Sequence, residues 1–258
     1  MNEPPARPLV LLSNDDGHAS RGLSALYEAL GAHCDVVVVA PEHEQSASSH
    51  ALSLRKPLRL RRLDEQRFAL DGTPADCVYL ALHGGTRVLP RRPDLVLSGI
   101  NLGLNLGQDA FYSGTIAAAR EAALRGIPSI ASSAHVSLDL ARVARASTRI
   151  ALMLACSAPQ ERTPLLSLNF PKDWSGGVRA TRLGTRIYEE RVEFRKDPYQ
   201  HEYLWLGGPG VRHEKNPGTD TDAYDEHVAS ITPLVLDLTS YEGARLAEAM
   251  AREVGEEP

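Results

Sequence analysis

Two neighbouring carboxylates, Asp15 and Asp16, stand in Ser13-Asn14-Asp15-Asp16-Gly17, directly after the apolar run Leu9 to Leu12. Adjacent carboxylates repel unless a cation or hydrogen-bond donors compensate, and hard divalent ions such as Mg²⁺ or Mn²⁺ favour such oxygen ligands. An Asx-turn on Asp16-Gly17 is the alternative reading that these residues leave open. A second polar loop, Ala40 to Ser49, follows the apolar run Val36 to Val39 and offers the Ser46 hydroxyl to a metal or a phosphate, unless it is only a solvated turn. The third segment, Ser98 to Thr115, alternates glycines with Asn101 and Asn105 and ends in Ser113-Gly114-Thr115 where a helix is expected to begin. Free amides and the helix dipole favour an anion there. Neither the Gly-Lys-Ser/Thr of a P-loop nor the dinucleotide GxGxxG spacing occurs.

From Pro93 to Ala119 there is no Lys or Arg. Charge developing during phosphoryl transfer needs a cation, which adds weight to the metal reading. Asp15, Asp16, Ser46 and Asn101 together make an all-oxygen set suited to one Mg²⁺ or Mn²⁺ and unsuited to tetrahedral zinc. The chemistry this permits is hydrolysis of a phosphomonoester with Asp15 and Asp16 as the catalytic pair, by in-line attack of water in preference to an aspartyl-phosphate, a covalent route that the sequence leaves open. His18 is near enough in sequence to shuttle a proton, though a surface role suits it as well.

These loops need a scaffold. Strand-length apolar runs alternate with amphipathic stretches, the pattern of a parallel sheet covered by helices on both faces, which delivers its loops to one edge. The expected strands are Leu9 to Leu12, Val36 to Val39, Asp94 to Leu97, Ile127 to Ala131 and Leu165 to Leu168, with a half-exposed Leu/Arg strand between Arg55 and Arg67. Helices are expected after Gly22, from a Thr73 cap to about His83, over Thr115 to Arg125 and over Leu138 to Cys156. After Pro171 the texture turns polar and Gly/Pro-containing, which reads as hairpins or an arm. The segment Asn216 to Glu226 reads as a loop, Val228 to Leu238 as a last strand and Gly243 to Val254 as a closing helix. The simplest organisation is one domain over 1–258, with a core of about 7–170 and an extension of about 171–258.

The chain has 258 residues, 43% hydrophobic and 24% charged, enough to bury a large core without a metal or disulfide. A net charge of −5 argues against a grip on a nucleic acid duplex or an anionic membrane, so a phosphate-bearing partner is expected to be a small molecule. Three cysteines without CxxC spacing, and the lack of a signal-type or membrane-length apolar run, make the cytoplasm the expected compartment.

The blocks Ser-Asn-Asp-Asp-Gly at 13–17, Ala-Pro-x-x-x-x-Ser at 40–46, Gly-Thr-Pro-x-Asp-Cys-Val at 72–78, Ser-Gly-Ile-Asn-x-Gly-x-Asn-Leu-Gly at 98–107 and Tyr-Ser-Gly-Thr at 112–115 together resemble the SurE survival-protein family of 5′/3′-nucleotidases. Pro217-Gly218-Thr219-Asp220 and Ser230 to Leu234 extend the likeness almost to the end. The resemblance implies a Rossmann-like α/β/α sandwich with a C-terminal arm for oligomerisation. It also implies a metal-dependent acid phosphatase acting on nucleoside 5′- and 3′-monophosphates, and on short polyphosphate in some members. By the same resemblance one divalent ion per subunit is held by Asp15, Asp16, Ser46 and Asn101, while Asn105, Ser113, Gly114 and Thr115 face the phosphate. The resemblance implies, too, homodimers or homotetramers formed through exchanged C-terminal segments. Where many relatives read Asp-Gly-x-x-Ala-Pro-Gly this chain has Asp16-Gly17-His18-Ala19-Ser20-Arg21-Gly22, and it has Gln45-Ser46-Ala47 for Arg-Ser-Gly. Two rivals are a dinucleotide-dependent oxidoreductase, which lacks its glycine turn here, and a non-catalytic nucleotide-sensing module.

Overall fold

The computed structural model describes residues 7–157, 161–189, 191–208 and 210–255. In chain order the first half contains β1 (Leu9–Ser13), α1 (Arg21–Gly31), β2 (Asp35–Pro41), β3 (Leu60–Arg62), β4 (Arg67–Leu70), α2 (Pro74–His83), β5 (Leu95–Leu102), α3 (Asp109–Tyr112) and α4 (Gly114–Leu124). There follow β6 (Ser129–Ala134), α5 (Leu140–Ala155), β7 (Leu165–Phe170), β8 (Val178–Ala180), β9 (Arg186–Tyr188), β10 (Val192–Lys196), β11 (Glu202–Leu206), β12 (Val211–His213), α6 (Asp220–Asp225), β13 (Ala229–Pro233) and α7 (Ala244–Gly255).

The main sheet has the order β3-β4-β2-β1-β5-β6-β7-β13-β8. From β4 to β7 all neighbours are parallel; β3 and β13 join antiparallel. Counted along the chain, those six parallel strands lie in the doubly wound order 3-2-1-4-5-6, whose switch point falls between β1 and β5. The apolar runs are continuous because both faces are covered. Val10 and Leu12 of β1, with Val36 and Val38 of β2, enter one core, which α1 and α5 close. Leu9, Leu11, Val37 and Val39 enter the opposite one, under α2 and α4.

Helix starts follow their caps. Thr73 and Asp76 form a reciprocal capping box at α2, with Pro74 at the first helical position. Ser113 accepts from Ile116 N at α4, a helix whose alanines 117, 118, 119, 122 and 123 are all buried.

Several expectations change. The Leu/Arg stretch yields only the three-residue edge strand β3, all of it exposed, which pairs antiparallel with the four-residue β4. Residues 220–225, expected as loop, form α6, capped by Thr219. The last strand stops at Pro233 rather than Leu238: Leu234 N makes a final bond to Leu165 O at 2.8 Å, and beyond it Leu236 joins Leu234 in packing against the patch of Ile116, Ala119 and Leu165. The sheet also takes β8 and β13 from the segment after 171, while β9–β12 and β10–β11 form two small antiparallel ribbons. Among the described residues no helix is long and apolar enough to cross a membrane.

Candidate active site at the carboxyl edge of the sheet

The loops after β1, β2 and β5 leave the sheet side by side, so three segments far apart in sequence meet at the switch point. A cavity of about 320 Å³ there is lined by Asp15, Ser46, Asn101, Asn105 and Ser113, together with Ala47, Asp109, Tyr112 and Tyr188. Asp16 stands beside it and accepts from Leu102 N at 3.3 Å, one residue beyond Asn101. Gly114 and Thr115 open α4 against this wall.

Asp15 is 5% exposed, and its Oδ1 accepts from the Thr115 hydroxyl at 2.6 Å. The positive end of α4 is thus turned toward Asp15, and the Thr115 side chain is fully buried on that carboxylate. Burial is the largest influence on Asp15 and raises its pKa to about 6; the Thr115 bond opposes this, and the Asp16 charge adds to it. Burial also raises Asp16, opposed by the Leu102 amide. Gly114 is dictated by approach: a Cβ there would lie 2.9 Å from Asp15 Cβ and 2.9 Å from Ser48 Oγ.

The remaining polar side chains of the cavity keep part of their hydrogen-bonding capacity unused. Asn101 Nδ2 donates to Gly103 O at 2.8 Å, which leaves its Oδ1 as the outward acceptor. Ser46 Oγ donates to Glu44 Oε1 at 2.7 Å and keeps its lone pairs. Asn105 is 8% exposed and donates through Nδ2 to Ser133 Oγ at 2.8 Å, while its backbone is pinned at both polar atoms by the Asn169 side chain. Ser113 Oγ, accepting from Ile116 N, still has a proton to give. Among the described residues, Ser48 Oγ and Asn14 Oδ1 are buried with no protein partner. Two carboxylates, a serine hydroxyl and an outward amide oxygen, beside an orphaned Ser48 hydroxyl, fit a hard divalent cation. His18 is turned away, its Nε2 3.2 Å from Arg61 Nη2 on β3.

One wall was not foreseen. Asp109, on α3, pairs with Arg186 and accepts from the Tyr188 hydroxyl, both on β9. A cation therefore reaches the rim of a segment that has none of its own, but Asp109 neutralises it. Asp220, fully buried, binds Gly107 N through Oδ2 at 2.9 Å and Gly184 N through Oδ1 at 2.7 Å, fastening the Gly-rich loop to this arm. No local pattern announces these contacts; Ser48 alone was visible, as one of several serines in its loop.

A family model described as "Survival protein SurE" matches residues 10–190. The 5′-nucleotidase SurE of Sorangium cellulosum is 56% identical over 255 residues, covering 98% of this chain and 99% of its own, and that of Myxococcus xanthus is 45% identical over 93% and 92%. The chain belongs to the SurE family. A crystal structure of the SurE protein from Aquifex aeolicus superimposes with a TM-score of 0.81 at 38% identity, covering 95% of this chain and 100% of that one. Against the SurE pattern, the two departures beside the aspartates have structural accounts. Ser20 caps α1 by accepting from Leu23 N and receives Asn14 Nδ2 at 2.8 Å. Arg21 takes the exposed first position of α1 and does not line the cavity.

Proposed function

We propose that this chain is a metal-dependent 5′-nucleotidase that also takes nucleoside 3′-monophosphates and short polyphosphate. The observation that carries the reading is the convergence of Asp15, Ser46, Asn101, Asn105 and Ser113 on one cavity at the switch point of a SurE-family fold. Asp15, Asp16, Ser46 and Asn101 would hold one Mg²⁺ or Mn²⁺. Such an ion supplies Lewis-acid polarisation of the phosphoryl group and offsets its charge.

The chain's own residues do the rest. Ser113, with a free hydroxyl proton, and Asn105, with a second amide hydrogen, donate to the phosphate oxygens. Gly114 lets the phosphate approach the α4 backbone, since any side chain there would meet Asp15. Thr115 acts through Asp15, orienting its carboxylate. Water then attacks phosphorus opposite the leaving ribose oxygen. A non-catalytic sensing role is not favoured by the 5′-nucleotidase relatives.

We further propose homodimers or homotetramers formed through the arm and the C-terminal segment, in the cytoplasm. Support comes from exposed apolar surface on the β10–β11 ribbon and along α7, and from three free cysteines.

Purified protein is expected to release phosphate from nucleoside monophosphates, to stop with EDTA and to recover with Mn²⁺ or Mg²⁺. Asp16→Asn is expected to lower kcat by at least about hundredfold with an unchanged melting curve. Near-normal turnover in that variant, or full activity in EDTA, would refute the reading.

A further inference from the structure

The phosphate and cation ends of the cavity leave a third part unassigned. Tyr188 lines the cavity from β9, and Tyr112 lines it from α3. Every other lining side chain except Ala47 is polar, so the two rings are the largest apolar groups in its wall. Tyr188 is rigidly set: its hydroxyl donates to Asp109 Oδ1, and the Arg186 guanidinium covers its ring 5.3 Å from the centroid. Burial and the Asp109 bond push the phenol up to about 12, so that bond keeps its donor. Even so, 43% of Tyr188 and 65% of Tyr112 remain exposed.

We propose that Tyr188, with Tyr112 beside it, is the platform on which the base of a nucleoside monophosphate stacks while the phosphate lies at the Asp15 end. This rests on the nucleotidase reading and adds the part of the substrate that a phosphatase site alone does not recognise. Asp109 is engaged by Arg186 and Tyr188, and Gln108 Oε1 by Arg186 N, so neither acceptor is spare for a base edge. The contact is with the flat face, which every nucleobase presents.

The test compares AMP with ribose 5-phosphate, the same ester without its base, in the unmodified protein, Tyr188→Phe, Tyr188→Ala and Tyr188→Leu. Dissociation constants from calorimetry are measured beside turnover. The ratio of kcat/KM for AMP to that for ribose 5-phosphate is expected to fall about tenfold in the alanine and leucine variants, mostly through KM, within the range for losing a base-stacking ring. Tyr188→Phe should hold the ratio near its original value. Leucine keeps bulk without an aromatic face, so it decides the matter if the alanine variant folds poorly. Equal affinity of the unmodified protein for both esters, or a parallel loss on both in the variants, overturns the platform. A base-dependent affinity without hydrolysis of either ester would instead defeat the nucleotidase reading and leave the platform standing.

Discussion

At the scale of single residues, Asp15 shows how the fold spends stability on chemistry. Folding lifts its pKa from 3.8 to about 6, chiefly by burial. Between those values the folded state binds the proton more readily than the unfolded chain, so stability is fully present at low pH and declines as pH rises through about 6. In metal-stripped protein Asp15→Asn should remove that decline and gain up to about 3 kcal/mol above pH 7, two pKa units at about 1.4 kcal/mol each. Urea titrations in EDTA from pH 4 to pH 8 would show it; parallel curves for the two proteins would contradict it. The aspartate pair itself was legible because it follows an apolar strand directly. Its partner Thr115 is expected from the family resemblance to face the phosphate; its bond to Asp15 is not legible in the sequence, since that contact joins positions 100 apart.

Among elements, the link between the Gly-rich loop and the arm matters most. Gly107, at φ +53°, would place a Cβ 2.6 Å from Gly184 O, so the two backbones touch, and Asp220 satisfies an amide from each. Asp220→Ala leaves two N–H groups unpaired, that of Gly107 buried and that of Gly184 partly buried, and should cost about 2–4 kcal/mol in denaturant unfolding. Asn105 and Tyr188, carried on the two segments it joins, should lose position with it. A loss below about 0.5 kcal/mol would show the amides satisfied otherwise. The strands of the parallel sheet could be read from continuous β-branched runs, and α2 from its cap, because those signals are local. The helix bearing Asp220 could not: it spans six residues with no apolar period, and its reason for existing lies at Gly107 and Gly184.

At the scale of the whole molecule, the polar stretch after Pro171 is divided: β8 and β13 complete the main sheet, while the ribbons and α7 stand apart. On the β10–β11 ribbon, Val192 faces Leu206 and Phe194 faces Leu204, putting four exposed apolar side chains on one side. Along α7, Leu246, Met250 and Val254 form an exposed stripe at helical spacing. A two-stranded ribbon is marginal alone in water and gains by burying such a face. Phe194→Asp is therefore expected to shift the protein to a smaller species in light scattering, while the far-UV spectrum stays the same. An unchanged mass would mean the ribbon is not an interface.

The cavity wall built by Arg186 and Tyr188, and the aspartate that ties it down, emerge from the ribosome long after the carboxylates at 15 and 16. A chain halted before Asp220 already carries every proposed cation ligand, yet lacks the carboxylate that fastens the Gly-rich loop to the arm.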